Sequence, residues 1–393
     1  MPLDLKKPVP LYLQIAEDIR AKIDARTLRM GDQLGSQQEL SREYRVSLMT
    51  VKKALAHLAH HGLVYGRMGK GSFVGRRSAV SPQSMQRSIG IVLENLQSPF
   101  FSLIVQAAEE AAYQRGYNVL LSNSFGRSEK EEEQIRHFWR IGAGGLLIAS
   151  LHHIYHATPT IHMLHRERFP LVMVSYMDDP DIPFVGTDHE EGAYMATHHL
   201  LRLGYKRIGY INAERGNLVG ELRKTGYVRA LSDAGRSVEQ RFLYRIRVQG
   251  TRNYYASGYE LGQRFCRKRG IRPDAVFAYN DMTALGFQRA VLEHGLRVPD
   301  DIAMVGFDNI EPGKYAGVPL TTIEQQTARI GSHAVDILTG LIEGRKTLTR
   351  RIFAPRLVVR ESCGSPSVKS HVQSRAVKVQ TAYTDPVRKG EQP

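Results

Sequence analysis

The sequence contains very little cysteine and has no long apolar run. Its 393 residues include two cysteines, Cys266 and Cys363, which lie far apart and lack neighbours at metal-ligand spacing. A disulfide framework is therefore not expected. No stretch approaches the ~20 consecutive apolar residues of a membrane-spanning helix, and residues 1–4 lack the apolar segment of a signal peptide. These absences favour a protein of the reducing cytoplasm.

Motifs typical of enzymes are also missing. The chain has no nucleophile elbow and no recognisable pair of acid and base. The glycine-rich stretch 66–72 is not a phosphate-binding loop, because Ser72 stands where that motif requires lysine. We therefore expect no catalytic residue and no cofactor.

Histidine is concentrated in one short region. The residues are His152, His153, His156, His162 and His165. Some of the spacings would permit a metal site, but no aspartate, glutamate or cysteine is interleaved. We therefore expect a surface patch and no metal site.

Positive charge is in excess and is spread unevenly. The formal net charge is +15, residues 1–77 hold 14 Lys and Arg against 7 Asp and Glu, and residues 364–393 hold 5 against 2. Almost half of the excess thus lies in the first 77 residues, which suits attraction to a polyanion. Charge alone does not distinguish a nucleic-acid reader from an ordinary basic segment.

Two short helices joined by a turn are predicted in the first part of the chain. Ser36 and Glu39 have the spacing of a capping box, which predicts a helix that runs to about Tyr44. Ser47 can cap a second helix, which Gly62 ends. One face of this second helix is apolar and is expected to be buried; it comprises Val51, Ala54, Leu55 and Leu58.

A basic hairpin is predicted to follow these helices. Short strands at 63–65 and 72–74 flank the cationic, glycine-rich stretch 66–71. An additional helix at about 11–25 has apolar residues at steps of four and can pack beneath the pair. Two helices at a turn, followed by a basic hairpin, form a winged helix-turn-helix, a shape that fits a DNA groove.

Residues 10–74 resemble the winged helix-turn-helix of GntR-type transcription regulators. The resemblance is carried by Pro10-Leu11-Tyr12, Gly31-Asp32-Gln33-Leu34, Ser36 to Leu40, Val46-Ser47, Thr50-Val51, Ala54-Leu55, Leu58, Gly62-Leu63-Val64 and Gly69 to Val74. Gln38 and Leu48 stand where the family usually has arginine, and Gly35 where it usually has proline. Because such arginines are the family's usual groove contacts, we expect this chain to read a different base sequence.

Candidate DNA-binding residues lie on both helices and on the hairpin. They are Ser36, Gln38, Ser47, Met49, Thr50, Lys52, Lys53, Arg67, Gly69, Lys70 and Gly71. Hydroxyl and amine groups can bind phosphates, Gln38 can pair with an adenine edge, and the hairpin can enter the minor groove or hold the backbone. The alternative is a solvated, charged helix face.

The middle of the chain alternates short apolar runs with helical patterns, which is typical of a parallel sheet covered by helices. A first series has strands at 88–93, 118–121, 145–149 and 171–174 and helices at 100–115, 129–140 and 160–168. A second series has strands at 207–211, 242–247, 275–278 and 302–306 and helices at 190–203, 223–234, 255–269 and 282–294. Two such series predict two similar lobes with a ligand cleft between them.

This middle part is similar to the LacI-type effector domains, which share the fold of periplasmic sugar-binding proteins. Its matching segments include Ile89 to Val92, Ser98 to Phe101, Gly144 to Ile148, Val185 to Asp188, Gly204 to Ile208, Pro273 to Asp281, Val298 to Ile302, Val305 to Asn309 and Pro319 to Ile323. A GntR-type head on a LacI-type body is a combination known in sugar-responsive regulators of the arabinose type.

The second resemblance implies a set of effector-binding residues. They are Phe100, Phe101, Ser175, Arg223, Asn280, Asp308 and Gln325. Polar side chains of these types can bind vicinal hydroxyls in pairs, and phenylalanine can stack on the apolar face of a sugar ring. The alternatives are that the two phenylalanines belong to the core and that Asp308 caps a turn. Ser175 stands where the family often has a carboxylate or an amide.

Together these patterns predict a small α+β winged helix-turn-helix domain followed by a two-lobed α/β periplasmic-binding-protein-like domain. The predicted limits are 1–75 for the DNA-binding domain, 76–87 for a linker, 88–363 for the effector and dimerisation domain and 364–393 for a disordered basic tail. The function implied is that of a transcription regulator, a repressor, which binds double-stranded operator DNA as a homodimer and responds to a sugar or sugar derivative. The alternatives are a cytosolic sugar-binding protein or an enzyme acting on a sugar or its phosphate.

Overall fold

The structure is a computed structural model that describes residues 10–60, 62–67, 71–74, 85–149, 157–247 and 253–366. The chain divides into two compact units between Arg87 and Ser88. Most of the predicted linker 76–87 and of the predicted tail 364–393 lies outside the described residues. In the described part, no helix has the length and apolar character needed to cross a membrane.

The first unit contains the three helices and the hairpin that the sequence predicts. Their bounds are α1 Leu11–Asp24, α2 Gln37–Glu43, α3 Leu48–His60, β1 Val64–Arg67 and β2 Gly71–Val74. The two strands are antiparallel, and the register runs from the Val64–Val74 pair to the Arg67–Gly71 pair. Both strands extend farther toward the hairpin tip than predicted.

The core of the first unit joins α1 to α3. The predicted apolar face of α3 is buried against Ile15 and Ile19 of α1. At the start of α2, the Glu39 amide donates to Ser36 Oγ at 3.2 Å and the Ser36 amide donates to Glu39 Oε2 at 2.7 Å. This capping box satisfies two backbone donors that the helix itself leaves free, and it fixes the entry into the helix-turn-helix.

The second unit has two six-stranded sheets, which define two lobes. The first lobe contains β3 Ser88–Leu93, α4 Pro99–Gln114, β4 Asn118–Asn123, α5 Ser128–Arg140, β5 Gly145–Ala149, α6 Pro159–Arg166, β6 Leu171–Ser175, β7 Phe184–Thr187, α11 Thr327–Ile342 and β13 Arg350–Phe353. Its sheet has the order β13-β7-β6-β5-β3-β4, with all neighbouring strands parallel.

The second lobe repeats this plan. It contains α7 His189–Arg202, β8 Ile208–Asn212, α8 Leu218–Asp233, β9 Leu243–Arg245, α9 Tyr254–Arg267, β10 Ala275–Ala278, α10 Asp281–Glu293, β11 Ala303–Asp308, β12 Thr321–Glu324 and β14 Arg356–Val358. Its sheet has the order β14-β12-β11-β10-β8-β9, and only β14 is antiparallel to its neighbour. The inner strands β8, β10 and β11 are buried along their whole length and are mostly apolar, whereas the edge strands β9 and β14 are partly exposed.

The chain passes between the lobes three times. The crossings follow β7 at Asp188, β12 at residues 325–326 and β13 at residues 354–355. The crossings are joined to one another, since Thr187 Oγ1 donates to Phe353 O at 2.9 Å and Gln326 Nε2 donates to Ala354 O. The prediction of two consecutive series is wrong at this point, because α11 and β13 return to complete the first lobe.

The start of α8 also differs from the prediction. The sequence placed Arg223 at the beginning of a helix, whereas α8 begins at Leu218 and Asn217 caps it by accepting from the Gly220 amide at 2.9 Å. Glycine in the first turn hid this start from a reading of apolar periodicity. Arg223 therefore lies in the second turn, on the face of α8 that packs toward the sheet.

Candidate effector cavity and DNA-binding surface

A cavity of about 260 Å³ lies between the two lobes at the carboxyl ends of their strands. Its wall includes all seven predicted effector residues: Phe100, Phe101, Ser175, Arg223, Asn280, Asp308 and Gln325. The other lining residues are Glu94, Asn95, Gln97, Ser98, Pro99, Val219, Asn253, Tyr254, Tyr279, Met282 and Ile310. Residues far apart in the sequence thus meet at one site, as expected where parallel strands end.

Arg223 is the central cation of this wall and is almost fully buried. Its guanidinium lies 3.7 Å from the Asp308 carboxylate, Nη1 donates to Tyr279 O, and the plane stacks on Phe307 with 3.6 Å from Cζ to the ring centroid. Glu221, a near neighbour in the sequence, pairs with Arg245, and the carboxylate beside Arg223 is that of Asp308. The buried Nε group has no hydrogen-bond partner in the described part of the chain.

Asp308 and Gln325 form a polar pair beside Arg223. Gln325 Nε2 donates to Asp308 Oδ1 at 2.6 Å, whereas Gln325 Oε1 finds no partner among the described residues. Burial raises the pKa of Asp308 to about 7; Arg223 opposes that rise and Asp281 adds to it. The carboxyl group therefore titrates near neutral pH, and the pair offers an acceptor to a bound hydroxyl.

Backbone conformation at two of the predicted positions is unusual. Ser175 has φ 84° and Asp308 has φ 122°, and Asn309 follows with φ 54°. L-residues adopt this region rarely, at a cost of order 1–3 kcal/mol each. The cost is tolerated where the surrounding fold fixes the chain, and here it aims the strand ends at the cavity.

His189 was not predicted from the sequence and lies directly behind this wall. Its Nδ1 is 3.3 Å from Arg223 Nη2 and its Nε2 is 3.4 Å from Ser175 O. Because the guanidinium can only donate, Nδ1 accepts and Nε2 carries the proton. Burial, reinforced by Arg223, lowers the pKa of His189 well below its usual value. A neutral imidazole therefore connects Arg223 of the second lobe to Ser175 of the first.

Aromatic residues form the apolar side of the cavity. The Phe100 and Phe101 rings pack edge to face at 5.1 Å, and both belong to the buried core as well as to the cavity wall. The two interpretations of these residues are therefore compatible. Tyr254 and Tyr279, whose centroids are 5.6 Å apart, were missed. The position of Tyr279 directly before Asn280, at the end of a strand, was the available signal.

Asn280 has two roles in its side chain. Its Oδ1 accepts from the Thr283 amide at 2.9 Å and so caps α10. The Nδ2 group is not used in that cap and remains available to the cavity. A rigid helix start thus holds an amide donor at the site, which is a favourable way to position a binding group.

The second predicted surface lies on the exposed side of α2 and α3. Met49, Lys52 and Lys53 are exposed on α3, and Ser36 and Gln38 are exposed at α2. Neither lysine has an ion-pair partner in the described residues. Ser47 Oγ accepts from the Thr50 amide at 3.2 Å and lies 2.8 Å from Thr50 Oγ1. These polar groups surround the start of α3, as required of a helix that meets a polyanion.

The hairpin tip is only partly described. Gly69, Lys70 and the Arg67 side chain lie outside the described residues. Gly71 starts β2 with φ 92°, a conformation that favours glycine.

The described part of the chain contains no group of three or more His, Cys, Asp or Glu side chains that could hold a metal ion. His162 and His165 lie on α6, and His162 Nδ1 is 3.7 Å from Asp179 Oδ2. His152, His153 and His156 of the predicted surface patch lie outside the described residues.

Comparison with known proteins gives matches in both units. Residues 11–74 match the model for bacterial regulatory proteins of the gntR family, and residues 197–363 match the model for the periplasmic binding protein-like domain. The arabinose metabolism transcriptional repressor of Geobacillus stearothermophilus is 30% identical over 366 residues, which cover 91% of this chain and 98% of that protein.

Solved structures also resemble this chain. A transcriptional regulator of the LacI family from Sanguibacter keddieii shares 33% identity with a TM-score of 0.62, over 71% of this chain and 99% of that one. The transcriptional regulator CelR in complex with cellobiose shares 26% identity with a TM-score of 0.63, over 81% of this chain and 92% of that one.

The arabinose metabolism repressor matches the chain over 91% of its length and the LacI-family regulator matches it over 71%, and both are transcription regulators and not enzymes. The chain is therefore a DNA-binding transcription regulator that responds to a small-molecule effector. It belongs to the family that joins a GntR-type DNA-binding domain to a LacI-type, periplasmic-binding-protein-like effector domain, the family of the arabinose metabolism transcriptional repressors.

Proposed function

We propose that the effector is a sugar or sugar derivative bound in the cavity between the lobes. The observation that carries this proposal is the meeting of Arg223, Asp308, Gln325 and Asn280 opposite an aromatic wall. Vicinal hydroxyls can donate to Asp308 and accept from Arg223 and Asn280, while Phe101 covers an apolar ring face. The cellobiose complex of a structural relative supports the same ligand class.

The DNA-binding role belongs in this proposal to the start of α3 and to α2. Ser47, Thr50, Lys52 and Lys53 contact phosphates or base edges, and Gln38 reads a base. Ser36, Met49 and the hairpin residues Arg67, Gly69, Lys70 and Gly71 complete the surface. In this proposal residues 1–75 bind DNA and residues 88–363 bind the effector.

The active form is proposed to be a homodimer that represses transcription in the cytoplasm. The two DNA-binding domains of such a dimer require a near-palindromic operator with half-sites about 10.5 bp, or a multiple of that distance, apart. Closure of the lobes on the effector changes the relative position of the two DNA-binding domains in the dimer. Such coupling requires the effector to bind one arrangement better than the other, and about 1–3 kcal/mol is usual.

A panel of pentoses, hexoses and their phosphates identifies the effector. The melting temperature of the full chain should rise with one compound or a closely related group, without turnover of that compound. The same compound should change operator affinity. If none of the panel stabilises the protein, or if a stabilising sugar leaves DNA binding unchanged, the sugar assignment is wrong.

A salt titration tests the DNA-binding surface. The logarithm of the operator binding constant should fall with the logarithm of salt concentration by about 0.9 for each phosphate neutralised. Lys52→Ala and Lys53→Ala should each reduce that slope by up to about 0.9. Arg20→Ala, on the exposed side of α1 and paired with Asp24, is the matched control and should leave the slope unchanged.

A further inference from the structure

Two large apolar side chains are exposed at the start of α3. Leu48 is 45% exposed and Met49 is 61% exposed, whereas the apolar face of the same helix, Val51, Ala54, Leu55 and Leu58, is buried. Single exposed apolar side chains are common and by themselves indicate nothing. These two are adjacent, and they occupy the first two positions of the second helix of a helix-turn-helix.

The surroundings of this pair are polar and cationic. Lys52 and Lys53 follow Met49 by three and four residues and therefore lie on the same side of the helix. Both lysines are exposed and have no carboxylate partner in the described part of the chain. Ser47 and Thr50 flank the pair with hydroxyl groups. The partner of this surface must therefore be anionic and must also carry small apolar groups.

Duplex DNA has both properties in its major groove. The phosphates supply negative charge, and the C5-methyl of thymine is the apolar group on the base edges there. In a helix-turn-helix the N-terminal residues of the second helix reach those edges. Leucine and methionine have no strong donor, so they cannot make the bidentate contact by which arginine reads guanine. They can, however, bury a methyl group.

A protein partner fits this surface less well. Stable protein interfaces bury about 800 Å² on each side, far more than two side chains supply. Lysine is also depleted at the centre of such interfaces, because its charge must be desolvated. An exposed pair between two unpaired lysines therefore matches a nucleic acid better than an apolar protein groove.

We infer that Leu48 and Met49 read thymine methyl groups in the operator half-site. The inference rests on the proposed role of α3 and adds the class of base that it recognises. Thymines at the positions facing the start of α3 then contribute to affinity through their methyl groups. Arg or Lys at Leu48 would instead favour guanine at the same position.

The experiment replaces thymine by uracil in the bound DNA. Duplexes that bind the full-length chain are enriched from a random-sequence pool, and the enriched duplex is then made with uracil at one thymine position at a time. Uracil pairs like thymine and lacks only the methyl group. Binding should weaken roughly fourfold for each methyl contacted, since one buried methyl corresponds to about 0.8 kcal/mol.

Alanine variants assign the effect to the two side chains. Leu48→Ala and Met49→Ala should each bind the thymine and uracil duplexes equally at the position that the missing side chain contacted. Met30→Ala is the matched control, because Met30 is 64% exposed but lies between α1 and α2. This variant should keep the full difference in affinity between the thymine and uracil duplexes. Equal melting temperatures of the three variants exclude loss of folding.

Two results would overturn the inference and are distinguishable from failure of DNA binding itself. Equal affinity of the native chain for the thymine and uracil duplexes at every position contradicts methyl recognition, while sequence-specific binding remains. A thymine preference that survives in both alanine variants assigns it to other residues. If no duplex is enriched, the proposed role of α3 fails together with the inference.

Discussion

The guanidinium of Arg223 lies 3.7 Å from the carboxylate of Asp308, and both groups are buried in the wall of the cavity between the lobes. Arg223 comes from α8 and Asp308 from the end of β11. A ligand in this cavity would meet this buried charged pair. The energetics of the pair should therefore affect the stability of the second unit and, in the proposed function, the binding of the effector.

Removing one member of this pair should destabilise the second unit. Arg223→Met leaves a buried carboxylate without its cation, and breaking a buried pair in this way costs about 3–5 kcal/mol. The loss in free energy of unfolding should be greater at pH 8 than at pH 6. Burial raises the pKa of Asp308 to about 7, so at pH 6 the carboxyl group is mostly protonated and carries no unpaired charge. Urea unfolding of the native chain and the variant measures both values.

The double variant Arg223→Met with Asp308→Leu is the control for this prediction. It replaces the pair by apolar side chains and should recover most of the free energy of unfolding that Arg223→Met loses. If the double variant is as unstable as the single one, packing and not the buried charge dominates at this site.

Effector affinity should depend on pH through Asp308. Burial raises the pKa of this carboxyl group to about 7 in the free protein. Sugar hydroxyls donate more strongly to the ionised form, so binding lowers that pKa. A group whose pKa falls on binding favours the complex when deprotonated. Affinity should therefore rise with pH by up to about tenfold per unit below pH 7 and become level above it.

Titrations with the identified sugar between about pH 6 and 8.5 test this dependence. His189 stays neutral in that range, because burial holds its pKa well below the usual value. Asp281 has a pKa raised to about 6 by burial and does not line the cavity. Asp308→Asn should give a level profile. A level profile in the native chain would show that the ligand does not use the Asp308 carboxylate.

The capping residue of α2 can be separated from its proposed contact with DNA. Ser36→Ala removes the acceptor for the Glu39 amide and should lower the free energy of unfolding of the first unit by about 1 kcal/mol. Ser36→Asp retains a good capping acceptor but adds negative charge on the proposed DNA-binding side. It should therefore keep the melting temperature and weaken operator binding. Undiminished operator affinity in Ser36→Asp would remove Ser36 from the DNA-binding surface.

The packing of α7 against α8 depends on Gly226. A Cβ atom at this position would overlap the carbonyl oxygen of Glu190 and would approach the Tyr194 amide to 2.8 Å. Because backbone atoms cannot turn aside as a side chain can, Gly226→Ala must separate the helices and should cost about 1–3 kcal/mol or more. Gly317→Ala, whose Cβ would contact only Leu292 at 3.9 Å, should be nearly neutral. Thermal unfolding of the two variants makes this comparison.

Local signals were sufficient for much of the architecture. The spacing of Ser36 and Glu39 predicted the capping box, and the apolar face of α3 is buried as expected. Both depend on contacts three to seven residues apart, which local sequence encodes directly. The seven candidate effector residues came instead from a family resemblance. They line one cavity, while their roles in binding and those of the DNA-contacting residues remain predictions.

Other features depend on distant parts of the chain. The sequence has no local signal that Arg223 meets Asp308, or that His189 lies between Arg223 and Ser175. The start of α8 was missed because glycine and polar residues interrupt its first turns. Tyr254 enters the cavity because α9 packs beside α10, a relationship that periodicity within either helix does not contain.

The sequence by itself determined the types of the main elements and the cationic character of the DNA-binding unit, because periodicity, caps and charge are local properties. Only the tertiary structure decided which strand ends meet, that α11 and β13 return to the first lobe, and that burial raises the pKa of Asp308 to about 7. Desolvation and charge pairing depend on distances in space. Here the three crossings between the lobes set those distances, and they bring together groups that are far apart along the chain.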